Sequence, residues 1–207
     1  MKFKGRALLA MFLLVLQPIN ILETGGSKDS LYLQQQSANS CTLCASAMMI
    51  RSTMSKCEGN DWRMITEDEI SKYAWTEQGL RWNWEWTDNE NTVSVAHETL
   101  SGIEEDELKA ILHEHPEGIV LYCGGQIHHG VFLTDWEDSV FYCADPAVGY
   151  AGEKIPIEES LLGARVGDQE KILQCVTAYW YVDSMDIKQD ANDCSQPLKT
   201  WEYGTLQ

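Results

Sequence analysis

A cysteine placed where an apolar helix begins constrains this chain more than any other feature. The stretch from Gln34 to Met49 reads QQQSANSCTLCASAMM, and Ala45, Ala47, Met48, Met49 and Ile50 form a compact apolar run behind Cys41. That run predicts a buried helix starting at Cys41 and ending near residues 52–55. At a helix start the unpaired N–H groups and the positive end of the dipole favour thiolate over thiol, so Cys41 is a candidate nucleophile. Ala45, Ser46 and Ala47 are small enough to let other backbone approach closely, as a central helix requires. The competing role for Cys41 is that of a buried or disulfide-bonded cysteine, the commoner state in an exported chain.

The opening MKFKGRALLAMFLLVL joins a basic start to an apolar run, the arrangement of an export signal, and it is short for a membrane span. Residues 1–26 are therefore expected to be a signal peptide or N-terminal anchor, 27–183 one domain, and 184–207 a polar tail. Export implies an oxidising compartment, where seven cysteines suit three bridges and one free thiol. Cys44 with Cys57, Cys123 with Cys143 and Cys175 with Cys194 are the guessed pairs. The formal net charge of −17 repels phosphate backbones, which discounts nucleic acid and anionic lipid as partners. It favours basic partners if it acts on them at all.

Along the chain, Thr66 and Glu69 form a capping box, so TEDEISKYA reads as a short helix. Trp82, Trp84 and Trp86 alternate, which puts all three on one face of an extended segment, as a sheet face over the core or a rim of a cleft. Ser101 and Glu104 suggest another capped helix, ending at Pro116. Its His113 and His115 are two apart and point to different faces, so no metal site is expected there. From Gly118 the pattern turns to β, with GIVLYC, VFLTDW, SVFYCAD and ILQCVTAYWYVD as four strands and IEESLLGA as a helix. Helices followed by an antiparallel sheet predict an α+β domain.

His129 stands directly before VFLTDW, and Asp145 ends the next strand in an Asp-Pro dipeptide. A hairpin through residues 136–139 would bring these two strand ends together. An imidazole and a carboxylate beside a helix-start thiol form a nucleophile, a base and a group that orients the base. Gln35 offers a side-chain amide, and Cys41 its own N–H, for an oxyanion. His128 is the alternative base.

The order Gln35, Cys41, His129, Asp145 resembles the papain-like cysteine peptidases, most closely the bacteriocin-processing peptidase branch and its secreted relatives. There the nucleophile segment reads Q-x5-C-G-x-A-A-x-A-M, similar to Gln35 through C-T-L-C-A-S-A-M here. The later H-x-V-V-V-T-G and strand-final D-P are similar to HHGVFLTD and SVFYCADP. The likeness spans roughly residues 33–182. It implies a papain-like fold and hydrolysis of peptide or peptide-like amides, with Cys41 attacking, His129 as base, Asp145 orienting it and Gln35 assisting the oxyanion. No cofactor or metal is implied, and a monomer is expected. Two departures stand out: Thr42 replaces the family's glycine after the nucleophile and could crowd the oxyanion hole, and Cys44 replaces an alanine. Cys41-Thr-Leu-Cys44 is also the C-x-x-C of thiol–disulfide oxidoreductases, and Thr42 or a Cys41–Cys44 bond would suit an inactive binding module.

Overall fold

Helix α1 (Cys41–Ser55) begins at Cys41, and every residue from Cys41 to Met54 is buried. A helix that is buried on all sides must be wrapped by the rest of the chain. Two of its buried hydroxyls bond within the helix, Ser46 Oγ donating to Thr42 O (2.8 Å) and Thr53 Oγ1 to Met49 O (3.0 Å). In this computed structural model the described residues are 31–57, 61–88, 90–150, 152 and 154–187. The expected signal segment, most of the tail and Cys194 lie outside them.

After α1 come a 3-10 turn at Trp62–Met64, α2 (Glu67–Ala74), the small hairpin β1 (Trp75–Thr76) and β2 (Gly79–Leu80), β3 (Trp84–Thr87) and β4 (Asn91–Thr99). The chain continues through α3 (Glu105–Glu114), β5 (Ile119–Cys123), β6 (His129–Glu137), β7 (Val140–Ala144) and β8 (Ile155–Pro156). A 3-10 turn at Ile157–Glu159, α4 (Leu161–Val166), α5 (Gln169–Gln174) and β9 (Val176–Ile187) complete it. β3 to β9 form one antiparallel sheet in the order β3-β4-β9-β5-β6-β7-β8, so the domain is α+β.

Alternation along the central strands builds two cores. Val120, Phe132, Trp180 and Val182 pack with α1 and α2. Ile119, Leu121, Val131, Leu133 and Phe141 pack with Leu108 of α3, Leu162 of α4, and Ile172 and Leu173 of α5. The sheet therefore carries helices on both faces. β6 and β7 turn back through Asp138 and Ser139, both at positive φ (49° and 66°), the backbone twist that a two-residue hairpin needs.

Several expectations are corrected. β3 and β4 precede α3 and occupy one end of the same sheet, so the order is not simply helices and then strands. β4 escapes the pattern because Thr92, Ser94 and His97 dilute its two core valines, Val93 and Val95. Ile172–Cys175 belong to α5 and its cap rather than to β9, and β9 runs past Asp183 to Ile187, pairing with β4. IEESLLGA breaks at Ser160, whose hydroxyl accepts from Leu162 N and starts α4. Ser101 does not cap α3: the cap position is Glu104, without a side-chain bond. Thr66 does cap α2, accepting from Glu69 N at 3.2 Å. Trp84 and Trp86 cover the core, while Trp82 lies before the strand and is 68% exposed. Among the described residues Cys41, Cys44, Cys123, Cys143 and Cys175 are free thiols, so Cys44 does not pair with Cys57, nor Cys123 with Cys143. Cys123 and Cys143 fill the second core instead.

Candidate active site

The C-terminal ends of β4 and β5 and the N-terminal ends of β6 and β9 share one end of the sheet, because Cys123 pairs with His129 and Val176, and Thr99 with Ala178. The start of α1 meets the sheet there. His129 is 2% exposed and its Nε2 lies 2.8 Å from Asp145 Oδ1. The ring also lies close enough to Cys41, which is 5% exposed, for the sulfur to act on its protonation. With Nε2 committed to Asp145, Nδ1 is the nitrogen left for the sulfur. The structure thus brings Cys41, His129 and Asp145 together, with the imidazole between the sulfur and the carboxylate.

Asp145 is fully buried, and each of its oxygens is used. Oδ1 accepts from Ala147 N (2.8 Å) as well as from the imidazole, and Oδ2 accepts from Leu161 N (2.7 Å). Pro146 lacks an N–H, so the turn after the strand donates first from Ala147. The carboxylate is held by backbone on two sides and has one direction left, toward His129.

Burial pushes the His129 ring toward its neutral form, but hydrogen bonds and charges from Asp145 and Cys41 outweigh it and raise the pKa from 6.5 to about 9. The imidazolium is therefore the favoured form at neutral pH. Its neighbour His128 is exposed, has φ 44°, and bonds through Nδ1 to Tyr122 Oη (3.0 Å). That left-handed residue turns the chain so that consecutive histidines meet different surroundings, and only His129 meets the carboxylate.

Thr42 does not stand free over the site. A Cβ built on Gly130 would lie 2.7 Å from Thr42 Cγ2, so the threonine methyl occupies the space that the glycine leaves. The side chain expected to crowd an oxyanion is packed against β6.

Gln35 is held by its backbone N–H to Pro146 O (2.9 Å), next to Asp145. Its Nε2 donates to Ser37 O (2.7 Å), while Oε1 is buried without a partner. Four aromatic rings form a series that starts at Tyr122, near the thiol, and runs across the sheet to Trp82. Burial and the nearby Cys41 raise the Tyr122 phenol. The centroids of Tyr122 and Trp180 are 6.3 Å apart, those of Trp180 and His97 5.9 Å, and those of His97 and Trp82 4.8 Å. Trp180 Nε1 donates to Arg81 O (2.9 Å), fixing the loop that presents Trp82.

The sequence does not single out Tyr122, which lies near Cys41, or Glu67, whose Oε2 accepts from Gln36 N (3.0 Å). Tyr122 read only as a strand residue, and Glu67 only as part of a helix start. No spacing rule marks a single side chain as facing a site across a sheet or from a neighbouring helix. Among the described residues no cluster of three or more His, Cys, Asp or Glu side chains could hold a metal ion. No protein-family model, curated protein or solved structure matches the chain.

Proposed function

We propose that this chain is a papain-like, cysteine-dependent hydrolase of peptide or related amide bonds, exported through its N-terminal segment. The observation that carries the reading is the buried series from Cys41 through His129 to Asp145, with a charged imidazole favoured at neutral pH. The sulfur attacks the carbonyl carbon, a C–S bond forms, and the π electrons move onto the oxygen. The second Nε2 hydrogen of Gln35 and the Cys41 N–H stabilise that oxyanion. The His129 proton passes to the departing nitrogen as the C–N bond breaks. Water then enters, His129 takes its proton, and the thioester is hydrolysed. The aromatic strip leading away from Tyr122 to Trp82 supports an extended peptide lying along it, and the −17 charge favours basic ones.

The test is reaction with iodoacetamide followed by peptide mapping, alongside hydrolysis of a panel of fluorogenic peptide amides. Selective modification of Cys41, lost in His129→Ala, together with amide hydrolysis that needs both residues, is the expected result. Reversible joint oxidation of Cys41 and Cys44 with no hydrolysis would replace it with thiol–disulfide exchange.

A further inference from the structure

The segment 33–37 that carries Gln35 is tied down at three points. Leu33 O accepts from the Cys44 thiol (3.4 Å), Gln35 N donates to Pro146 O (2.9 Å), and Gln36 N donates to Glu67 Oε2 (3.0 Å). Only the third tie uses a charged side chain, and that carboxylate is buried, 7% exposed. Burying a carboxylate is costly unless hydrogen bonds replace its water. Here the Gln36 N–H supplies one, and the Cys44 thiol, whose single proton is shared between the Leu33 carbonyl and this carboxylate, lies alongside with the guanidinium of Arg51 near it.

Glu67 is itself held in place. It is the first residue of α2, behind the Thr66 cap. The chain entering α2 is clamped to α1 by Arg51, whose Nε donates to Ile65 O (2.6 Å) and whose Nη2 donates to Arg63 O (3.0 Å). An unbroken run of bonds therefore leads from the middle of α1, through the entry to α2 and Glu67, to the residue beside Gln35.

We propose that Glu67 is a positioning residue, acting through the Gln36 N–H to hold the Gln35 amide where the oxyanion forms. This rests on the hydrolase reading. It predicts a separation of two reactions at one sulfur, because alkylation by iodoacetamide needs the nucleophile and base but no oxyanion donor, whereas amide hydrolysis needs all three.

The experiment compares the full chain with Glu67→Met, which keeps length but removes the acceptor, and Glu67→Gln, which keeps a carbonyl oxygen for Gln36 N. Each is measured for peptidyl-amide kcat and KM and for Cys41 alkylation by iodoacetamide. Thermal unfolding checks the fold, and Glu67→Ala stands in should the methionine variant not fold. The expected result is a fall of about 10²-fold in kcat for Glu67→Met with alkylation unchanged, since misplacement by an ångström costs about that much. Glu67→Gln recovers most of the loss. Parallel loss of both reactions, no loss of hydrolysis, or a glutamine variant as impaired as the methionine one overturns the positioning role. A wild-type chain that hydrolyses none of the panel amides overturns the hydrolase reading itself.

Discussion

Cys41 and Cys44 are one turn apart on α1 and nearly equally buried, at 5% and 0% exposure, yet they meet opposite surroundings. Cys41 faces a histidine whose charged form is favoured by Asp145. Cys44 faces the Leu33 carbonyl and the Glu67 carboxylate. Burial, then the negative charge of Glu67 and the hydrogen bond to it, push the Cys44 thiol well above its ordinary range. A thiolate is the reactive form of cysteine. The pair teaches that a sulfur's chemistry is set by which charge stands across from it, so that under the proposed hydrolase reading Cys41 reacts while Cys44 packs.

The comparison breaks most visibly on truncation. Cys41→Ala removes the nucleophile and should lower peptidyl-amide kcat/KM by more than the roughly 10²–10⁴-fold that loss of a general acid–base group costs, whereas Cys44→Ala should keep the same order of activity. Matched steady-state kinetics on the two variants decide it.

A second prediction concerns pH. His129 has its pKa raised to about 9 from 6.5, so the imidazolium is present below that value and lost above it. The kcat/KM profile should show an alkaline limb near pH 9, falling about tenfold per pH unit beyond it, as the proton for the leaving amine disappears. By the same sign, the stability that His129 gains from its partners is full below pH 6.5 and declines as pH rises through about 9, which thermal unfolding across that window would register.

Gly130→Ala sharpens the contrast from the other side of Cys41. Its new Cβ would meet the Thr42 methyl at 2.7 Å, and overpacking there should cost about 1–3 kcal/mol. Thr42→Ser, which removes that methyl, should restore part of the loss in a double-variant denaturation series.

The smallest effect is on stability at the packed sulfur. Cys44→Ala removes one buried atom and a long hydrogen bond, for about 1 kcal/mol by denaturant unfolding.

Much of this arrangement was legible in the residues themselves. The apolar run after Cys41 predicts α1 because helix burial leaves a local periodic trace, and Thr66 with Glu69 marks α2 for the same reason. Val140–Ala144 and His129–Glu137 are strands whose hairpin follows from their spacing. β4 was not legible, because a strand with only two core residues among polar ones looks like a loop until β9 pairs with it. The expected Cys123–Cys143 bridge is absent because cysteines at 0% exposure in an apolar core fill space as well as they cross-link.

Residue order alone determined that a thiol begins a buried helix and that a histidine and an aspartate end adjacent strands, since both follow from local periodicity and hairpin closure. Tertiary structure decided which histidine meets the sulfur, where the Thr42 methyl goes, and which of the two helix-start thiols faces an imidazole and which a carboxylate. Those outcomes depend on contacts between segments far apart in the chain, where one left-handed residue or one missing Cβ redirects a side chain and leaves no periodic mark in the sequence.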